Sequence, residues 1–222
     1  MSREPTRMPG PDGAASAAPD RETVLAGLAA YAFARAEALP GGHVFGLIDA
    51  ACDPLSAVTL EAFPEPARCL IGGSLGEELA GVAPWLVRFD RHGPAWDWFA
   101  SEAWGRNRGV LVVSNLDLAR LKARLKKPLR VEDEDGKRYF FKYYRPNHLN
   151  AYLPAMDEPQ RRTMFSGVAC YLAEAPGTGA HLLAHVPDRA EPERVALEPL
   201  GAGLVVRPPD AQALATETTE KV

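Results

Sequence analysis

The chain has little cysteine: Cys52, Cys69 and Cys170 are the only three among 222 residues, they lie far apart, and no Cys-x-x-Cys occurs. That excludes a disulfide framework, a zinc knuckle and a redox pair. Three free thiols packed as small hydrophobes in a reducing compartment are expected instead. No apolar run reaches the about 18 residues a membrane helix requires. The opening MSREPTRMPGPDGAASAAPD has no hydrophobic stretch to serve as a secretory signal. A cytoplasmic protein without a membrane span is the expectation. Basic excess is missing too. The 25 Lys and Arg stand against 29 Asp and Glu, a net charge of -4, so nucleic acid is not an expected partner. No internal repeat is visible, and no Lys-Ser/Thr completes a phosphate loop.

What is present suffices for a core, since 46% of the residues are hydrophobic. Residues 1–19, rich in Pro, Gly, Ala and Ser, read as a disordered leader. Asp20 is placed to cap a helix that Pro40 ends, and HVFGLIDAA follows as a buried strand. Asp53-Pro54 reads as cap and first turn of a short helix reaching Phe63. ARCLIGG and PWLVRF read as strands, and Gly93-Pro94 opens a helix carrying Trp96, Trp98, Phe99 and Trp104. GVLVVS is the plainest strand, and Asn115 is placed to cap a helix that turns Leu118, Leu121 and Leu125 inward. VEDEDGKRYFFKYY has the signature of a hairpin turning at Glu134-Asp135-Gly136. Pro146 opens one helix, Glu158 to Phe165 forms another, and GVACYLAE supplies the last strand. The fold class is therefore α/β: a mixed sheet flanked by helices, with a C-terminal hairpin and helical pair. The domain spans 20–175, and 176–222 reads as a loosely ordered extension with one short strand at 204–206.

Several residues invite a chemical reading. Gly72-Gly73-Ser74-Leu75-Gly76 satisfies the nucleophile-elbow pattern after a strand, with Asp117 or Asp133 and His148 downstream as partners for a serine hydrolase. Gly81 and Pro84 leave little room for the helix such a serine needs, and Gly-Gly-Ser is common loop chemistry. His181 and His185 are four apart but HLLAH lacks the glutamate of a zinc-protease motif, so no metal or other cofactor is expected. Asp49, inside an apolar run, must find hydrogen-bond partners and reads as structural. Between Arg106 and Arg130 eight basic residues meet one acid, Asp117, and Arg120, Arg124 and Lys127 line one helix stripe. No aromatics interleave there to stack bases. Trp85, Trp96, Trp98 and Trp104 cluster within twenty residues, and Tyr139, Phe140, Phe141, Tyr143 and Tyr144 follow on the hairpin. Consecutive residues on a strand point to opposite faces, so Tyr143 and Tyr144 are expected in different layers. Either the sheet is covered on both sides or some aromatics meet a partner.

The order LIDAACDP, then SLG before APWLVRF, then GVLVVS, then DGKRYFFKYYRPNHL resembles the adaptor or chaperone domain of bacterial type VI secretion systems, over roughly residues 43–173. Lys142-Tyr143-Tyr144 stands where that family has an Arg-Phe/Tyr-Tyr run, and Pro146 matches its proline. Arg145 replaces the usual Asp and Asn147 the usual Arg. The resemblance implies a non-enzymatic protein that binds a secreted toxic effector and helps load it onto the spike protein, and it puts Ser74 in a loop. Trp85, Trp96, Trp98, Trp104, Tyr143, Tyr144 and Arg145 are the candidate protein contacts, with the basic stripe as a second face.

Overall fold

The structure, a computed structural model, describes residues 19–197 apart from Asp133, Glu134 and Thr178. Nearly all of the expected leader and the strand expected at 204–206 lie outside the described residues. Helix α1 (Arg21–Glu37) begins where Asp20 accepts the Thr23 N–H at 2.9 Å. β1 (His43–Asp49) follows. α2 (Ser56–Ala62) starts later than expected, because Asp53 accepts from the Leu55 N–H in a local turn and the helix forms only beyond it. Next come β2 (Ala67–Cys69), α3 (Ser74–Leu79) and β3 (Pro84–Phe89). α4 (Pro94–Trp98) runs into a π-helical turn over Phe99–Ala103, and β4 (Gly109–Ser114) follows. α5 (Leu118–Leu125) is capped by Asp117, two residues beyond the expected Asn115. The hairpin is β5 (Arg130–Glu132) and β6 (Arg138–Phe140), and α6 (Pro146–Tyr152) and α7 (Glu158–Met164) are the helical pair. β7 (Cys170–Glu174) is not the last strand. β8 (His181–His185) and β9 (Glu193–Ala196) extend the sheet through residues that read as loose chain.

The α/β fold with a helix-flanked sheet agrees with the sequence reading, and its strand pairings are antiparallel. The seven-stranded order is β2-β3-β1-β4-β7-β8-β9, with β5 and β6 forming a separate pair. Period-two alternation divides the core in two. Val44, Ile48, Val87, Leu111 and Leu172 face α1, α2 and α4. Phe45, Leu47, Leu86, Val112 and Tyr171 face α5, α6 and α7. Both faces of the sheet are thus covered. At the centre, Gly46 lies under the Phe89 ring, where a β-carbon would come within 2.4 Å of it.

Cys170 is buried, as expected, whereas Cys52 and Cys69 are partly exposed; they sit in a short turn and on the edge strand β2. Burial pushes the Cys170 thiol up to about 11 against the opposing pull of Arg35. No described helix is long and apolar enough to cross a membrane.

Candidate functional site

Two three-residue strands bury too little to hold themselves together, so the β5–β6 hairpin depends on its base. There the Phe141 N–H donates to the Leu129 carbonyl at 2.9 Å, and the Tyr143 hydroxyl donates to the Leu125 carbonyl at 2.7 Å. The hairpin consequently stands off the sheet and leaves a groove of about 660 Å³ against α6 and α7. Val131 and Tyr139 are direct cross-strand partners. They are 40% and 45% exposed, Phe140 44% and Tyr152 56%, so four of the seven large apolar side chains exposed among the described residues line this one groove. Tyr152 stands edge-on to Phe141 at 5.6 Å and to His148 at 6.3 Å. From Phe141 ring contacts continue inward through Tyr143 to Tyr171 and Phe165. Lys127, Arg130 and Lys142 also line the groove, and no described carboxylate does. Chemically this is an apolar, aromatic seat with a cationic rim, suited to binding.

Most of the contact residues expected from sequence lie elsewhere. Trp85, Trp96 and Trp104 are buried. The Trp85 indole N–H donates to the Ala80 carbonyl, that of Trp104 to the Gly179 carbonyl, and Trp96 packs between Phe33 and Phe89. Only Trp98 keeps partial exposure, against Phe63. Trp85, Trp96 and Trp104 belong to the core cluster that also contains the buried side chains of α1, and Trp98 packs against it. Tyr143 and Tyr144 are both fully buried in the same layer. The alternation rule fails for them because β6 ends at Phe140 and they lie in a turn, closed by the Arg145 N–H on the Lys142 carbonyl. The basic stripe divides: Arg120 is exposed and paired with Asp117, Arg124 reaches Ser166, and Lys127 faces the groove.

Ser74 is exposed at the first residue of α3, after Gly73 at φ 73°. Gly72, Gly73 and Gly76 line a cavity of about 550 Å³ over β2, whereas His148 lines the hairpin groove. Asp117 caps α5, and Asp133 lies outside the described residues. His181 and His185 share a strand, not a helix. The His185 ring is buried, with its Nε2 2.8 Å from the Asn150 side-chain oxygen. Asn150 in turn donates its amide to the Glu174 carbonyl, which fixes that oxygen toward the ring, so His185 Nε2–H is the donor.

Residues 44–163 match the model of a family described as Domain of unknown function (DUF4123). The chain belongs to that family. Comparison with the curated proteins and with the solved structures found no match. The DUF4123 span runs from the second residue of β1 to the penultimate residue of α7 and so contains the lining of the hairpin groove apart from Met164. Within it, Asp49 finds the partner its burial demands. Arg145 Nε donates to Asp49 Oδ2 at 2.5 Å, and the Ala51 N–H donates to Oδ1. Asp49 is fully buried, and the Arg145 side chain is mostly so. Burial works against the Arg145 charge, and the Asp49 carboxylate outweighs it, raising its pKa. The Cys52 sulfur lies 3.6 Å from Asp49 Oδ2, and burial followed by that carboxylate pushes its thiol up. Arg145, a candidate contact in the sequence reading, therefore ties the start of α6 to the end of β1.

The sequence left open whether the sheet is covered on both sides or some aromatics are presented outward, and it favoured Tyr143 and Tyr144 as contacts; both faces are covered and those two are buried. The exposed ones are Tyr139 and Phe140, with Tyr152 joining from α6. The available signal was Tyr139-Phe140-Phe141, three successive aromatics that a short strand cannot bury on one face.

Proposed function

We propose that this DUF4123 protein is an adaptor of a type VI secretion system, binding a toxic effector in the cytoplasm and helping to load it onto the spike protein. The observation that carries the reading is the cluster of solvent-facing aromatics in the hairpin groove. Large exposed apolar patches rimmed by polar groups mark sites where another polypeptide docks. The ordered motifs from LIDAACDP to RPNHL, which resemble that adaptor family, support a secreted effector as the partner. Binding is reversible and forms no covalent bond. An effector held here is stabilised in proportion to RT ln(1 + [L]/Kd) and gives up that stabilisation on delivery.

Affinity-tagged protein isolated from its own bacterium is expected to carry a secreted effector and a spike protein encoded nearby, and gene deletion is expected to abolish effector secretion. Recovery of neither partner together with unchanged secretion would overturn the proposal. Ester turnover by the purified protein that disappears in Ser74→Ala, with fluorophosphonate labelling at Ser74, would replace it with the hydrolase reading.

A further inference from the structure

We infer that the hairpin groove takes an acidic, apolar segment of the partner polypeptide: bulky hydrophobic side chains seated on Phe140, Tyr139 and Tyr152, with flanking Asp or Glu on the cationic rim. The inference rests on the adaptor reading and gives its contact surface a chemistry. Two observations carry it. The floor is apolar, built from exposed aromatics with Met156 and Val131 beside them. The charged lining is of one sign, Lys127, Arg130 and Lys142, and none of these forms an ion pair with another described residue. Several arginines elsewhere on the surface do have internal partners, as with Arg106–Glu102, Arg120–Asp117 and Arg162–Glu158. Three unmatched cations around an apolar seat select a partner of complementary charge and repel a basic one.

Aromatic rings among cations also suit a single-stranded nucleic acid. The peptide is favoured because the aliphatic side chains of Val131, Ala155, Met156 and Met164 share the lining with the rings and suit apolar side chains better than bases, while three cations supply little of the phosphate neutralisation on which nucleic-acid affinity depends.

The test uses the full chain and two short capped peptides with identical Leu and Phe residues, one flanked by Asp and Glu, the other by Lys and Arg. Fluorescence anisotropy at low salt is expected to show the acidic peptide binding about tenfold or more tighter, a preference that salt erodes. Phe140→Ala is expected to weaken it about tenfold. The triple variant Lys127→Glu, Arg130→Glu, Lys142→Glu is expected to reverse the preference while unfolding at the wild-type temperature, since Lys127 and Arg130 are exposed and Lys142 is partly so. Equal binding of the two peptides, binding of neither, tighter binding of an oligouridylate, or a self-associated species lost in Phe140→Ala would each overturn the inference. Isolation from the bacterium separates this failure from that of the adaptor reading. If wild-type protein and the triple variant recover the effector equally, the groove chemistry falls and the adaptor stands. If wild-type protein recovers neither partner and gene deletion leaves secretion unchanged, the adaptor itself falls.

Discussion

Asp49 and Arg145 are ninety-six residues apart in sequence and share a single hydrogen-bonded ion pair. Removing one member leaves a charge buried without its counterpart, which costs about 3–5 kcal/mol, whereas the intact pair gains little over an apolar replacement. Arg145→Met is therefore expected to lower stability by about 3 kcal/mol in urea denaturation, and Asp49→Leu combined with Arg145→Met to recover part of the loss. His185 gives a second prediction. Burial, and then the nearby Arg161 charge, hold its pKa down to about 4. The unfolded chain takes up that proton near pH 6.5, so the stability contributed by the neutral ring is complete above 6.5 and is lost as pH falls toward 4, at most about 3 kcal/mol. Urea midpoints at pH 7 and pH 4.5 should differ less in His185→Gln than in wild type. That Asp49 needed a partner was legible from its apolar neighbours. Which residue it would be was not, because nothing local links β1 to the start of α6.

Among the elements, the central strands were the most legible, since HVFGLID and GVLVVS are buried on both faces and read as nearly continuous apolar runs. The interior of β1 is also where packing is least forgiving. The Phe89 ring above Gly46 is itself held by Trp96 and Phe99, at 5.6 and 5.3 Å, so it cannot swing away from an added methyl group. Gly46→Ala is expected to cost about 1–3 kcal/mol, measured as a lowered thermal midpoint, and Phe89→Leu in the same chain to relieve part of it. Illegible elements failed for identifiable reasons. β6 stops at Phe140 without a breaking residue, so the strand pattern seemed to continue through Tyr144. β8 and β9 are short, and the Pro- and charge-rich segment around them has the composition of loop. The exposed groove follows from the first of these failures, because the early stop of β6 sends Tyr143 and Tyr144 inward and leaves Tyr139 and Phe140 outside.

At the scale of the molecule, α1 and strands β7 to β9 lie beyond the matched 44–163 span. They are nonetheless part of the same core. β7 pairs directly with β4, Leu28 and Tyr31 of α1 belong to the cluster that Trp96 and Trp104 fill, and Tyr171 of β7 belongs to the other. A chain trimmed to residues 44–163 is expected to lose the cooperative thermal transition of the longer chain, read by circular dichroism.

The stitching of Trp104 to Gly179, with the Glu174 carboxylate receiving the Gly105 and Asn107 N–H groups, shows where natural selection would act on this architecture. A recombination joint placed after α7 would cut through the interior of a single folding unit. Exchanges that spare this unit fall instead on the hairpin, whose Val131, Tyr139 and Phe140 are exposed and belong to neither core cluster.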